Sequence, residues 1–238
     1  MACRRVKLLA LVVALAALAT ACSPSKYDFE SNKRLGVYLK VPTGWKDVSQ
    51  DELFPLYSQG DKEPSPEAYQ ILKQVLWERG WDSSSKPSVG HFVLGEANAP
   101  VARVSVRALT EEQQLAMSTE ALKDLVVGSY NESLENFTEL LRNPGTSELV
   151  SADFVPLQDK VLKPAEGTGV RDGFFGVRQL FEARNDSDQS LYVIGFIGIL
   201  DDARTRLYTL TVHCNRRCYV ANEGAIQKVL DSFTVRKA

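Results

Sequence analysis

The segment Leu191–Leu200 limits the fold of this chain more than any other. Its residues, Leu191-Tyr192-Val193-Ile194-Gly195-Phe196-Ile197-Gly198-Ile199-Leu200, are apolar at odd and even positions alike. A strand sends successive side chains to opposite faces. This one has no face suited to water, so both its faces must be covered. Strand-like runs flank it at Gly173–Ala183 and Thr205–Val212. The links Asn185-Asp186-Ser187-Asp188 and Asp201-Asp202-Ala203-Arg204 have the composition of turns. Short polar links join antiparallel neighbours, so the C-terminal third reads as a meander whose middle strand needs two covering layers.

Helices are available for those layers. Ser118 and Glu120 open a long one, with Leu122, Leu125, Val126, Tyr130, Leu134, Phe137 and Leu141 at steps of three and four, and Asn143-Pro144-Gly145 ends it. A closing helix runs from about Asn222 to Ser232, with Ile226, Val229, Leu230 and Phe233 as its stripe. Ser65-Pro66-Glu67 opens a third, with cap, proline and acid in order, and Gly80 is read as its stop. Leu35–Val41 and Val101–Leu109 alternate as half-buried strands, and Pro42-Thr43-Gly44-Trp45 closes the first in a turn. The expected fold class is α+β: an antiparallel β-sheet flanked by helices on both faces, in a single domain.

Three of these segments carry a resemblance. The opening strand ending in Val41-Pro42-Thr43-Gly44-Trp45, the late strand Tyr208-Thr209-Leu210-Thr211-Val212 and the closing Ile226…Val229…Ser232-Phe233-Thr234-Val235 resemble the PsbP-like α/β/α sandwich. That sandwich is found in actinobacterial lipoproteins of the LpqN type. The resemblance covers roughly residues 34–236. It implies a binding or assembly-support protein without a shared catalytic residue set. The stretch Asp47–Val89 is longer than the minimal pattern.

The N-terminus has a different design. Arg4, Arg5 and Lys7 precede an apolar run, Leu8–Ala19, and the small residues Thr20-Ala21 lead into Cys22. That is the order of a cleaved export signal. The apolar run holds 12 residues, and a helix across a bilayer core needs about 20. A cysteine directly after the small residues resembles the lipobox of bacterial lipoproteins, although Ala19 stands where that motif usually has Leu or Val. The resemblance implies that Cys22 becomes the mature N-terminus and carries lipid on its sulfur. The alternative is an ordinary secretory signal cut near Ala21. The expected organisation is a signal peptide over 1–21, a polar tether over 22–33 and the folded domain over 34–238. The implied location is the extracytoplasmic side of a cell membrane, held there by lipid.

Charge and cysteine content narrow the function. The leader contains three of the chain's 28 basic residues and none of its 30 acidic ones, which leaves 25 against 30 in the mature chain. Nucleic-acid binding needs a basic face, and no polybasic run is present in the sequence to hold anionic lipid. Once Cys3 leaves and Cys22 is used, Cys214 and Cys218 remain as an even pair in an exported protein, expected to form a disulfide. A metal held by His213, Cys214 and Cys218 is the alternative. It lacks the fourth ligand that structural zinc takes, so no metal or cofactor is expected.

The two histidines, His91 and His213, are far apart, and neither a Gly-x-Ser-x-Gly elbow nor a His-Glu-x-x-His motif is present. The expectation is a non-enzymatic binding or assembly-support module; the alternative is an envelope hydrolase or a carrier of a small apolar ligand, with a site formed only in three dimensions. Trp77 falls on the polar side of the helix read through it, Trp81 follows Gly80, and Trp45 sits in a turn. These three are the candidate contacts for an envelope protein partner, unless the long Asp47–Val89 segment folds back over them.

Overall fold

The computed structural model describes residues 26–57, 65–93, 97–119, 121–123, 154–163, 171, 173–184 and 190–237. Cys22, the segment expected to be a signal peptide and the rest of the helix expected from Ser118 onward lie outside them. Only the start of that helix is described: the Ser118 side chain accepts from the Ala121 N–H at 3.0 Å, as a cap should.

Two antiparallel sheets share one core. Strands β1 (Tyr27–Asn32), β2 (Val37–Pro42) and β10 (Thr234–Val235) make a small sheet in the order β1-β2-β10. The large sheet has the order β3-β4-β5-β9-β8-β7-β6. Its strands are β3 (Lys46–Val48), β4 (Leu76–Asp82), β5 (Val101–Ala108), β6 (Phe154–Leu162), β7 (Phe174–Arg184), β8 (Leu191–Asp201) and β9 (Arg206–Asn215). The helices are α1 (Gln50–Leu53), α2 (Pro66–Val75), α3 (Glu111–Ala116) and α4 (Arg216–Ser232), with 3₁₀ turns at Phe54–Tyr57 and Val89–Phe92.

The doubly apolar strand is β8, and both its faces are covered. Val193, Ile197 and Ile199 enter a core completed by Ile226, Val229 and Leu230 of α4 and by Val37, Leu39 and Val41 of β2. Phe196 and Leu200 enter a second core with Leu109, Met117, Leu122, Val177 and Phe181. The meander β7-β8-β9 pairs as expected, with Phe196 opposite Gln179 on one side and Thr211 on the other. The fold class read from the sequence is the one observed.

Three elements differ from the reading. Tyr27–Asn32, expected to lie in the tether, forms β1, in register from Tyr27↔Pro42 to Asn32↔Val37. An edge strand of a small sheet needs no apolar face, so its polar composition imitates a tether. The first strand therefore begins at Tyr27, five residues after Cys22. The helix starting at Pro66 ends at Val75, and Gly80 is no stop: it sits within β4, opposite Arg103. A Cβ at Gly80 would lie 2.7 Å from the Phe92 ring, so glycine here admits the 3₁₀ turn against the sheet. Finally, α4 starts at Arg216, ahead of the expected Asn222, because Asn215 caps it by accepting from the Cys218 N–H at 2.8 Å.

Candidate functional site

Alternation along β4, β5 and β9 sorts side chains onto the two faces of the large sheet. Trp77, Arg79 and Trp81 go to the α4 side with Ala102, Val104 and Val106. Glu78 and Asp82 go to the other, with Arg103, Ser105 and Arg107 of β5 and Thr209 and His213 of β9. In sequence the outward positions of Val101–Leu109 look like a solvated polar face. In the fold they form an inner polar band under the two 3₁₀ turns.

Glu78 is buried at the centre of the band. Its Oε2 accepts from Arg103 Nε at 2.9 Å, from Arg103 Nη2 at 2.6 Å and from the Tyr57 hydroxyl at 2.8 Å. Arg103 also donates to the Tyr57 oxygen, so the three groups form a closed triangle. Glu78 Oε1 is buried and has no hydrogen-bond partner among the described residues. Next to the triangle, the Ser105 and Thr209 hydroxyls bond at 2.6 Å across β5 and β9. Burial pushes the Tyr57 phenol up to about 12, against the pull of Arg103. Burial likewise draws Arg107 below its ordinary value, while Tyr57 and Glu78 oppose that fall. At neutral pH Tyr57 is therefore a fixed hydrogen-bond donor, and Arg103 is held to Glu78 by two of its nitrogens.

A second cluster lies at the end of the same face. Asp82 is 0 % exposed. It accepts from Ser84 N at 2.8 Å and Ser88 N at 3.1 Å, and it pairs with His91 Nδ1 at 2.6 Å. Desolvation lifts its carboxyl, but the bonds from His91, Ser84 and Ser88 outweigh it and hold the group below its ordinary value. His213 Nε2 donates to the backbone carbonyl of His91 at 3.1 Å. The two histidines thus meet, through one ring and one backbone. Burial pulls the His213 ring down to about 4, so it is neutral in ordinary buffers. A carboxylate-oriented imidazole is part of a nucleophile-activating arrangement. Here the neighbouring serines give their backbone N–H groups to the carboxylate, and among the described residues no hydroxyl bonds the other ring nitrogen of His91. The cluster clasps the loop between β4 and β5 onto β9.

The sequence-based sites are placed as follows. Cys214 and Cys218 are joined by a disulfide between the end of β9 and the first turn of α4. His213, one residue earlier, points to the opposite face from Cys214, so the two do not make a ligand set. The three tryptophans all pack against the core, to different depths. Trp81 is 2 % exposed, and Trp77 and Trp45 pack partly buried against the same core. The assignment of Trp77 to a polar helix face fails because the helix has ended before it; on a strand, Trp77 and Trp81 share the inward face. The Asp47–Val89 segment supplies its own tryptophans to the core. The polar band was missed because Glu78, Arg103 and Tyr57 have no sequence spacing in common.

No family model matches the chain, and no curated protein matches it. Among solved structures, the cyanobacterial PsbP protein CyanoP of Synechocystis sp. PCC 6803 aligns with a TM-score of 0.45 and 11% identity, covering 90% of this chain and 97% of that one. The Ran-binding protein Mog1p of Saccharomyces cerevisiae aligns at 0.41 and 13%, over 88% and 95%. LpqN of Mycobacterium tuberculosis, involved in cell envelope biogenesis, aligns at 0.38 and 11%, over 89% and 91%. Two of these bear the names of the resemblance read from the sequence. Function does not transfer at such identities, and the fold described above rests on its own strand order.

Proposed function

We propose that this chain is an actinobacterial-type lipoprotein of the cell envelope, held by lipid on Cys22 on the extracytoplasmic side and acting as a non-enzymatic binding or assembly-support module. The observation that carries the reading is the continuity of leader, cysteine and fold. Cations, an apolar run and small residues lead to Cys22, and the first strand begins at Tyr27. Among the described residues no helix is long and apolar enough to cross a membrane, and a multiply acylated cysteine anchors stably by itself. The chemistry of the inner face supports the second half of the proposal. Glu78 is taken up by Arg103 and Tyr57, and Asp82 by His91 and the Ser84 and Ser88 N–H groups, so these polar groups are spent on holding the fold.

The test is a Cys22→Ala chain expressed beside the native one. The native chain partitions with membranes and shows a diacylglyceryl mass on its N-terminal peptide. The variant is released or retained unprocessed without lipid. An unmodified N-terminal peptide from the native chain refutes the anchor.

A further inference from the structure

The sequence contains no run of basic residues, yet the fold gathers cations on one surface. Residues paired directly across antiparallel strands point to the same side. In the small sheet the inward residues are Val37, Leu39 and Val41. The outward ones are therefore Tyr38 and Lys40 of β2, with Tyr27, Phe29 and Ser31 of β1 opposite Pro42, Lys40 and Tyr38. Phe29 is 77 % exposed. Each aromatic ring has a cation over it. Lys40 Nζ is 5.0 Å from the Phe29 centroid, Lys228 Nζ of α4 is 5.4 Å from Tyr27, and the Arg236 guanidinium is 5.0 Å from Tyr38. No outward position of the sheet holds a carboxylate. Two acids on the neighbouring elements have other partners: Asp231 pairs with Arg178, and Asp28 accepts from the Thr43 hydroxyl.

We infer that this outward face of the small sheet lies on the membrane and contacts anionic lipid headgroups. The inference rests on the proposed anchor and deepens it. Tyr27 is five residues beyond Cys22, and an extended chain spans at most about 3.6 Å per residue, so β1 starts within about 18 Å of whatever holds Cys22. Aromatic side chains with neighbouring Lys and Arg suit the headgroup layer, and basic residues are attracted to anionic leaflets within a Debye length. The charge is complementary, and it is local: the chain as a whole has 30 acidic residues against 28 basic ones. Cys22 sets the distance to the membrane; this face sets the orientation.

The experiment uses the lipidated chain reconstituted in vesicles of three parts phosphatidylglycerol to seven parts phosphatidylethanolamine. A nitroxide is attached at Ser31→Cys on the outward face, and in a second sample at Leu115→Cys. Leu115 is exposed on α3, over the other face of the large sheet. Collision with a water-soluble nickel chelate is expected to be at least threefold lower at position 31 than at position 115. The triple variant Lys40→Glu, Lys228→Glu and Arg236→Glu is expected to abolish that difference while the protein still sediments with the vesicles. Equal collision at both positions in sedimenting protein overturns the face and leaves the anchor standing. Protein left in the supernatant overturns both. Unchanged protection of position 31 in the triple variant overturns the role of charge.

Discussion

The burial of His213 gives a measurable dependence of stability on pH. Its ring is 3 % exposed on β9, beneath the loop clasped by Asp82 and His91. Burial lowers it to about 4; the bond to the His91 carbonyl opposes the fall and the Arg103 charge adds to it. In the unfolded chain the ring meets water and titrates near 6.5. Between these values the unfolded state binds a proton that the folded state does not, so stability falls as the pH falls. The loss amounts to about 2 kcal/mol by pH 5 and about 3 kcal/mol by pH 4, and it vanishes above pH 7.5. Asp82 is shifted in the same direction, but from an ordinary carboxyl value already below this range, so its contribution is retained here and lost only in stronger acid. The assay is equilibrium urea unfolding of the mature chain at steps from pH 7.5 to 4.5, alongside His213→Gln. The variant starts about 1 to 2 kcal/mol less stable at pH 7.5 from imperfect packing. It does not titrate, so the two curves should converge as the pH drops. Parallel curves would refute the assignment of a buried neutral ring.

Three other perturbations test the inner face and the sheet. Glu78→Leu leaves Arg103 and Tyr57 without their carboxylate and should cost about 3 to 5 kcal/mol; Glu78→Leu with Arg103→Met should cost less than Glu78→Leu alone, and additive losses in urea would contradict the pairing. Gly176→Ala would put a Cβ 2.3 Å from the Gly198 carbonyl oxygen on the neighbouring strand, so it should cost about 1 to 3 kcal/mol, whereas a wild-type melting curve would mean that β7 and β8 are spaced differently. Replacing Cys214 and Cys218 with alanine should cost about 2 kcal/mol for so short a loop, and thiol titration of the denatured, unreduced native chain should find neither cysteine free.

Much of the framework was legible in one dimension because it depends on local periodicity. The Leu191–Leu200 run demanded cover on both faces, and α4 and the Met117–Leu122 region supply it. The clean alternation of Val37, Leu39 and Val41 marked β2. Errors came where local pattern is ambiguous. The stretch Leu76–Asp82 continues an apolar periodicity that suits a helix, but it also holds two tryptophans, which favour strands. Pairing with β5, which the window cannot see, decides the matter. The residues 27–32 look like a linker because an edge strand can be polar throughout.

The sequence by itself determined the class of fold, the cysteine pair and, through the residues around Cys22, the expectation of a lipid anchor. These follow from composition and spacing over a few turns or strands. Only the tertiary structure decided what the polar residues do. It brought Arg103 and Tyr57 onto the buried Glu78 in one triangle, and joined His91 to His213 across 122 residues of chain. It also placed Lys40, Lys228 and Arg236 on one outward face. Hydrogen bonds and charges act over a few ångströms in space, and the sheet register sets which residues come that close.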